Sequence, residues 1–205
     1  MTHPTPTHGR RARLKAVTRT VHAQLDRRIM AFNPFADRAR YAGFLQSQYR
    51  LHRDVEFLYR HATLGAMLPG LVQRSRLELL EKDLADLGVV LDEGALPQPA
   101  FTGGTPLHVP QALAWLYTVE GSNLGAAFLL KAVAPLGLHG GFGARHLAPH
   151  PDGRAAHWRD FIAELDALEL PAEQEAAVDA GALYAFAAAL TYVDLYCRLP
   201  APVSP

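Results

Sequence analysis

Apolar residues recur at three- and four-residue steps along nearly the whole chain, and this periodicity narrows the possible folds more than any other feature. It is the spacing of one face of an α-helix, and residues 11–31 display it with Leu14, Val17, Val21, Leu25 and Ile29. We found no segment with the strict alternation of a half-buried strand. We therefore predict an all-α fold. A single domain is expected over residues 10–199, between short tails at residues 1–9 and 200–205.

Prolines, glycines and capping residues divide the helical regions. Asn33-Pro34 ends the first predicted helix, and Asp37 is a candidate N-cap for a second helix that runs to about residue 62. Pro69 is expected to begin a third helix, which stops at Gly88. The remaining predicted helices are residues 106 or 110 to about 135, residues 154–168 capped by Asp152, and residues 171–198, with loops at 89–105 and 136–153.

Charge and cysteine content exclude several classes of function. The chain has 20 basic and 20 acidic side chains, so it lacks the basic excess of a nucleic-acid or membrane-surface protein. We identified neither a signal peptide nor an apolar run of about 18 residues, the length that a membrane span needs. The single cysteine, Cys197, cannot form an internal disulfide, which fits a reducing cytoplasm. We expect a cytoplasmic protein that binds neither nucleic acid nor a membrane.

Residues 117–131 combine a helical pattern with residues that weaken a helix. Gly121 and Gly125 lie one turn apart on the same face, and each costs about 1 kcal/mol relative to alanine. Ser122 and Asn123, between them, are also poor helix formers. A helix that contains such residues usually allows a neighbouring group to approach its backbone closely. Two alternatives follow: a neighbouring helix packs against the glycines, or a flat ligand lies on the bare face.

The first predicted helix places a histidine and a lysine along one stripe. Lys15, Thr18 and His22 follow one another at steps of three and four residues. His22 is either a half-buried helix histidine or a ligand for a metal or haem iron. Lys15 lies about 10 Å away along the helix axis and is either a solvated charge or a cationic contact for a ligand's carboxylates.

The second and third predicted helices contribute further polar candidates. Gln48 and His52 are four residues apart beside an apolar stripe. They form either a hydrogen-bonded pair in the core or part of a site. Arg76, among leucines, either pairs with Glu78 or solvent, or takes part in a water network.

Other familiar catalytic and binding patterns are missing from the sequence. We found no phosphate-binding loop, dinucleotide fingerprint or nucleophile elbow. The loop histidines do not follow the compact spacing of a zinc site; they are His139, His146, His150 and His157. We therefore do not assign a zinc site to them.

Three segments together resemble the haem oxygenases, specifically the compact bacterial type that produces biliverdin. They are residues 14–22 (LKAVTRTVH), 115–131 (WLYTVEGSNLGAAFLLK) and 142–154 (FGARHLAPHPDGR). Their spacing also matches, so the resemblance covers about residues 12–170. It implies the all-helical haem oxygenase fold, with haem between a proximal helix and a kinked distal helix.

The resemblance also implies roles for individual residues. His22 matches the proximal axial ligand of the haem iron. The kinked distal helix is matched by Gly121, Ser122, Asn123 and Gly125. The residues at or around the haem propionates are matched by Lys15, Tyr117 and Lys131. The residues that order distal waters are matched by Gln48, His52 and Arg76.

The implied activity is oxidative cleavage of haem b, which is both cofactor and substrate, to biliverdin, carbon monoxide and ferrous iron. Such a reaction uses O2 and electrons from a reductase or ferredoxin-type donor, and a bacteriophytochrome is a candidate receiver of biliverdin. It requires that His22 does not face bulk solvent and that bulky groups do not fill the gap between the first and fourth predicted helices.

Two other functions remain open. The first is a non-catalytic haem carrier or sensor on the same fold. The second is a haem-free hydrolase or interaction domain, for which Cys197 and Glu120 offer weak support. The last predicted helix aligns with no clear family motif, and it is expected either to close over the haem or to join an interface; its aromatic residues include Tyr184, Phe186, Tyr192 and Tyr196.

Overall fold

The computed structural model describes residues 9–92, 94 and 96–198. Apart from Gly9, both predicted tails lie outside the described residues, as does the predicted domain end at residue 199. Within them the fold is all-α as predicted, and isolated bridges join His139 only to Phe142 and Gly143. The α-helices are α1 (Arg10–Phe32), α2 (Arg38–Tyr59), α3 (Ala62–Met67), α4 (Leu77–Asp86), α5 (Val109–Ser122), α6 (Ala126–Val133), α7 (Arg154–Ala167) and α8 (Ala172–Tyr196).

The first two helices agree closely with their predicted limits. α1 ends at Asn33, whose backbone is left-handed with φ 52°. Asp37 caps α2, since its side chain accepts a hydrogen bond from the Arg40 backbone N–H at 2.8 Å. The amphipathic pattern and its capping residues therefore specify this helical pair locally.

The single helix predicted from Pro69 to Gly88 is wrong. α3 ends at Met67, a short 3₁₀ helix follows at Leu71–Arg74, and only α4 lies where the prediction placed helix. The residue before a proline avoids the helical region, and Leu68 has φ −129° and ψ 86°. Gly70 then adopts φ 74°, which ends one helical segment before the next begins.

The glycine-bearing helix predicted to run to about residue 135 is two helices. Between α5 and α6, each backbone N–H of residues 123–126 donates to the carbonyl three residues earlier, as Asn123 does to Glu120 at 3.3 Å and Gly125 to Ser122 at 3.2 Å. Bonds of this spacing tighten the turn and interrupt the α-helix. The interruption falls on the segment between Gly121 and Gly125, where helix propensity is lowest.

The C-terminal helix α8 is central to the bundle and packs against α1, α2 and α5. Its closest packing is on α5: a Cβ atom added to Gly181 would lie 3.0 Å from Ala114 Cβ. Among the described helices, α8 alone is long and apolar enough to span a membrane by length and composition. α7 begins at Arg154, but Gly153 is its N-cap and no side chain caps it, so the predicted Asp152 cap is wrong.

Candidate active site

His22 lies on the exposed face of α1, and 59% of its side chain is accessible. Its Nδ1 atom is 2.9 Å from Asp26 Oδ2, one turn further along the helix. The Phe186 ring of α8 lies beside it, with ring centroids 5.6 Å apart. A carboxylate hydrogen-bonded to Nδ1 orients a ligating imidazole and leaves Nε2 to bind a metal. The imidazole is therefore more exposed than a side chain inside an enclosed gap would be. Its Nε2 atom is accessible to a ligand.

The break between α5 and α6 presents a bare backbone surface. A Cβ atom at Gly125 would meet only the Ser122 carbonyl, at 3.7 Å, and one at Gly121 would lie 3.5 Å from the Trp158 ring. Leu124 and Phe128, beside Gly125, are 45% and 62% exposed. No described helix therefore packs on Gly125, which argues against the packing alternative there, whereas Gly121 faces Trp158 of α7. An exposed apolar surface without side chains in its centre suits a flat, apolar ligand.

The three residues matched to the haem propionates differ in their exposure. Lys15 on α1 and Lys131 on α6 are both exposed. Tyr117 is buried, with its ring centroid 5.7 Å from that of Trp158. Burial raises the pKa of Tyr117, and nearby Arg11 opposes this effect. The lysines are thus accessible from solvent, whereas Tyr117 belongs to the protein interior.

Arg76 and His52 lie together in a buried polar region. The Nη1 atom of Arg76 donates to the carbonyls of His146 and Ala148, at 2.7 Å and 2.9 Å. The expected alternative that Arg76 pairs with Glu78 is wrong, because Glu78 pairs with Lys82. Burial, assisted by His146 and Arg76, lowers the pKa of His52 to about 3. His52 is therefore neutral at physiological pH.

Sequence reasoning missed His146 and Asp83, which complete this region. His146 Nδ1 is 2.9 Å from Asp83 Oδ2, and that carboxylate also accepts the backbone N–H groups of His146 and Arg145. Burial lowers the pKa of His146 even though Asp83 opposes this effect. Asp83 precedes its partner by 63 residues, so no local spacing could have revealed the pair.

Three buried polar atoms in this region have no hydrogen-bond partner among the described residues: His52 Nδ1, His146 Nε2 and Tyr41 Oη. The Asp83 carboxylate acts electrostatically on Tyr41, and His146 acts on His52, so the three side chains belong to one buried polar region. Buried polar groups of this kind usually bind ordered water. The region can therefore hold and orient water molecules, and of the two alternatives for Gln48 and His52, a core pair that satisfies His52 Nδ1 is not formed.

The groups that a haem-free hydrolase would need are unsuited to that role. Burial raises the pKa of the Cys197 thiol to about 11, so it is protonated at neutral pH and a poor nucleophile. Glu120 is buried, and its two oxygens accept hydrogen bonds from Tyr59 and Arg74. Neither side chain is available for hydrolytic chemistry.

Two comparisons of the sequence with known proteins match the same family. The family described as Heme oxygenase matches residues 10–194. The heme oxygenase PigA of Pseudomonas aeruginosa is 42% identical over 177 residues, which cover 86% of this chain and 87% of that relative.

Solved structures agree with the sequence comparison. The NO- and CO-bound heme oxygenase of Neisseria meningitidis superposes with a TM-score of 0.85 and 39% identity, covering 95% of each chain. The heme oxygenase of Leptospira interrogans has a TM-score of 0.73 at 16% identity, covering 90% of this chain and 98% of that one. The latter likeness concerns the fold alone.

Proposed function

Because this chain belongs to the haem oxygenase family, we propose that His22 binds haem iron while the break between α5 and α6 lies over the opposite face of the porphyrin. The enzyme cleaves haem oxidatively to biliverdin, carbon monoxide and ferrous iron, with O2 as oxidant and electrons from an external donor. Haem is the substrate, and its iron supplies the site at which O2 is activated.

The proximal residues are suited to hold a porphyrin from one side. The Nε2 atom of His22 would bind the haem iron, and Asp26 keeps the imidazole oriented through Nδ1. The ring of Phe186 supports that orientation from α8. A neutral imidazole donates less electron density to iron than a thiolate does, which disfavours early cleavage of the O–O bond.

The distal residues leave space beside the ring edge. Gly121 and Gly125 carry no side chain, and Ser122 and Asn123 between them are small. The exposed apolar groups of Leu124 and Phe128 complement the porphyrin. Such a surface would leave room for O2 at the edge of the ring, whereas a bulky side chain would occupy that position.

Protons reach the reacting oxygen through water held by the buried polar region. His52 and His146 are neutral, because burial lowers both pKa values. Neutral imidazoles orient water by hydrogen bonds and do not act as strong acids. Arg76 holds the backbone of His146 in place, and Gln48 lies one turn from His52 on α2. A supply of protons from weak donors would favour oxygenation of the porphyrin ring over early cleavage of the O–O bond.

The remaining parts of the proposal concern the edge of the haem and the partners. Lys15 and Lys131 attract the propionates, and Tyr117 supports the wall of the site. A reductase or ferredoxin-type protein supplies electrons in the cytoplasm, and a bacteriophytochrome receives biliverdin.

The observation that carries this function is the bare, exposed break at Gly125, which no part of the described protein needs for packing. The test mixes purified protein with haem and then adds a reductant and air. Loss of the Soret band together with growth of a biliverdin band is expected. A Soret band that persists in reductant and air identifies a carrier instead, and an unchanged free-haem spectrum contradicts haem binding.

A further inference from the structure

Glu120 is a buried carboxylate directly before the first glycine of the break. Its exposed fraction is 2%, and it lies on a helix whose neighbouring residues are almost all buried. Burial raises the pKa of Glu120, and Tyr59 and Arg74 oppose that effect. Taking a charged pair out of water costs several kcal/mol, so such a pair is weak evidence for stability. A role in fixing one arrangement of the surrounding helices explains the buried Glu120 pair better than a role in stability does.

The two oxygens of Glu120 connect α5 to two other parts of the chain. Tyr59 at the end of α2 donates its hydroxyl to Oε1 at 2.7 Å. The Nη1 atom of Arg74, in the 3₁₀ helix, donates to Oε2 at 3.2 Å. Because both carboxylate oxygens are engaged, the last turn of α5 is fixed against rotation and translation.

Arg74 extends the connection to α7. Its Nη2 atom donates to the carbonyl of His157 at 3.0 Å, and its guanidinium lies 5.3 Å from the centroid of the Phe161 ring. One guanidinium therefore holds both α5 and α7, and a lysine could not make both hydrogen bonds in the same planar geometry.

The two segments that flank Gly121, at Glu120 and at Trp158, are thus both attached to Arg74. Glu120 precedes Gly121, and its carbonyl accepts the first hydrogen bond of the break, from Asn123. Trp158 follows His157, and its ring lies 3.5 Å from the position of a Cβ atom at Gly121. The distance between the break and Trp158 consequently depends on Arg74 and Glu120.

We propose that Glu120 and Arg74 are positioning residues: together with Tyr59 they set the place of the α5–α6 break relative to α7, and hence the shape of the distal surface over the porphyrin. The proposal rests on the proposed function for its effect on chemistry. Its structural part, the attachment of Trp158 to the break, can be tested in protein without haem.

The experiment compares wild type with Arg74→Lys, Glu120→Gln and Tyr59→Phe, and uses Glu78→Gln as a matched control. Glu78 forms an exposed pair with Lys82 on α4, far from the break in sequence, and exposed pairs contribute little. In haem-free protein, acrylamide quenching of tryptophan fluorescence reports the exposure of Trp158. The other tryptophan, Trp115, is 1% exposed and gives a constant background.

We expect Arg74→Lys and Glu120→Gln to increase the quenching of Trp158 and to broaden or split the infrared C–O stretching band of the CO–haem complex. Turnover should fall roughly ten- to hundred-fold, the usual cost of a misplaced reacting geometry. Haem affinity should change little, since His22 lies on α1. Tyr59→Phe should shift the same readouts less, and Glu78→Gln should leave them unchanged.

Wild-type quenching and a wild-type C–O band in all three variants would overturn the proposal. This holds even if their melting temperatures fall, because the three residues would then contribute to stability without positioning the break. If Arg74→Lys does not fold, Tyr59→Phe decides by the same readouts, because it removes one hydrogen bond and keeps the ion pair. Failure of wild type to bind or degrade haem would instead contradict the proposed function, and the quenching comparison would still decide whether Arg74 holds Trp158.

Discussion

The two sides of the proposed haem site are built in opposite ways. On the α1 side, His22 and Lys15 are exposed, and His22 is paired with Asp26 on the same helix. On the other side, His52 and His146 are buried in contacts that join α2 to the segment before α7. One side is local and exposed, and the other depends on distant parts of the chain.

This difference separates the effects that substitutions should have. Exposed polar groups contribute little to stability, so changes on α1 should affect the ligand and leave the fold intact. Buried polar groups are costly when a partner is lost, so changes in the buried region should alter stability as well as proton supply. Each prediction below examines one side of this contrast.

The largest effect is expected for His22→Ala, which removes the proposed axial ligand. The spectrum of the six-coordinate low-spin haem complex and biliverdin formation should both be lost. The free energy of unfolding of the haem-free protein should change by about 0.5 kcal/mol or less, since His22 is exposed. The control is Gln24→Ala on the exposed face of α1, which should retain spectrum and turnover. An unchanged haem spectrum in His22→Ala would remove His22 as the ligand.

Substitutions at two glycines should separate ligand binding from helix packing. Gly125→Leu places a side chain on the bare break, so we expect biliverdin formation to fall roughly hundred-fold, while the haem-free protein unfolds near the wild-type temperature because no described residue obstructs the added Cβ atom. Gly181→Ala should have the opposite effects: biliverdin formation should be retained, and the haem-free protein should be less stable. Its added Cβ atom meets Ala114 at 3.0 Å, so the protein should lose about 1–3 kcal/mol.

The measurements for this pair are thermal melting without haem and biliverdin yield with it. Normal yield from Gly125→Leu would contradict the distal position of the break. A large loss of stability in Gly125→Leu would show that the segment packs against the protein after all.

A smaller effect is expected in the pH dependence of stability. The pKa of His52 is about 3 in the folded protein and 6.5 ordinarily, so the unfolded chain binds more protons between these values. The contribution of neutral His52 to the free energy of unfolding is complete above pH 6.5 and is lost as the pH falls towards 3. His52→Gln should therefore reduce the loss of unfolding free energy between pH 7 and pH 4.5 by roughly 2–3 kcal/mol.

Urea unfolding at several pH values provides the measurement for His52→Gln. The exposed His139 provides a matched histidine variant, His139→Gln, for comparison. Equal slopes in wild type and His52→Gln would show that His52 is not held neutral by burial.

The same contrast explains which features could be predicted from the sequence. The limits of α1 and the Asp37 cap follow from local periodicity and capping, and Gly121 and Gly125 indicate the place of the break between α5 and α6. The division of the predicted third helix was missed because Leu68 and Gly70 interrupt it by backbone conformation rather than by apolar pattern. Local signals therefore specify helices better than they specify the turns between them.

The buried part of the site was largely hidden for another reason. Glu120 is separated from Tyr59 by 61 residues and from Arg74 by 46, and a single carboxylate in an apolar helix gives no hint of either partner. His146 was set aside with the other loop histidines, although its partner Asp83 lies on α4. Long-range polar contacts of this kind are determined by packing and are not encoded in spacing.

The smallest effect is expected for the lysines at the edge of the site. Lys15→Ala combined with Lys131→Ala removes two exposed cations, and exposed ion pairs are worth up to about 1 kcal/mol each, so haem affinity should fall roughly fivefold. Haem titration at two salt concentrations provides the measurement, and the difference from wild type should shrink at high salt because the contacts are screened. Lys82→Ala on α4, an exposed lysine paired with Glu78, is the control. Equal affinity and an identical pattern of biliverdin isomers in the double variant would exclude both lysines as anchors of the propionates, and the orientation of haem would then depend on the buried side alone.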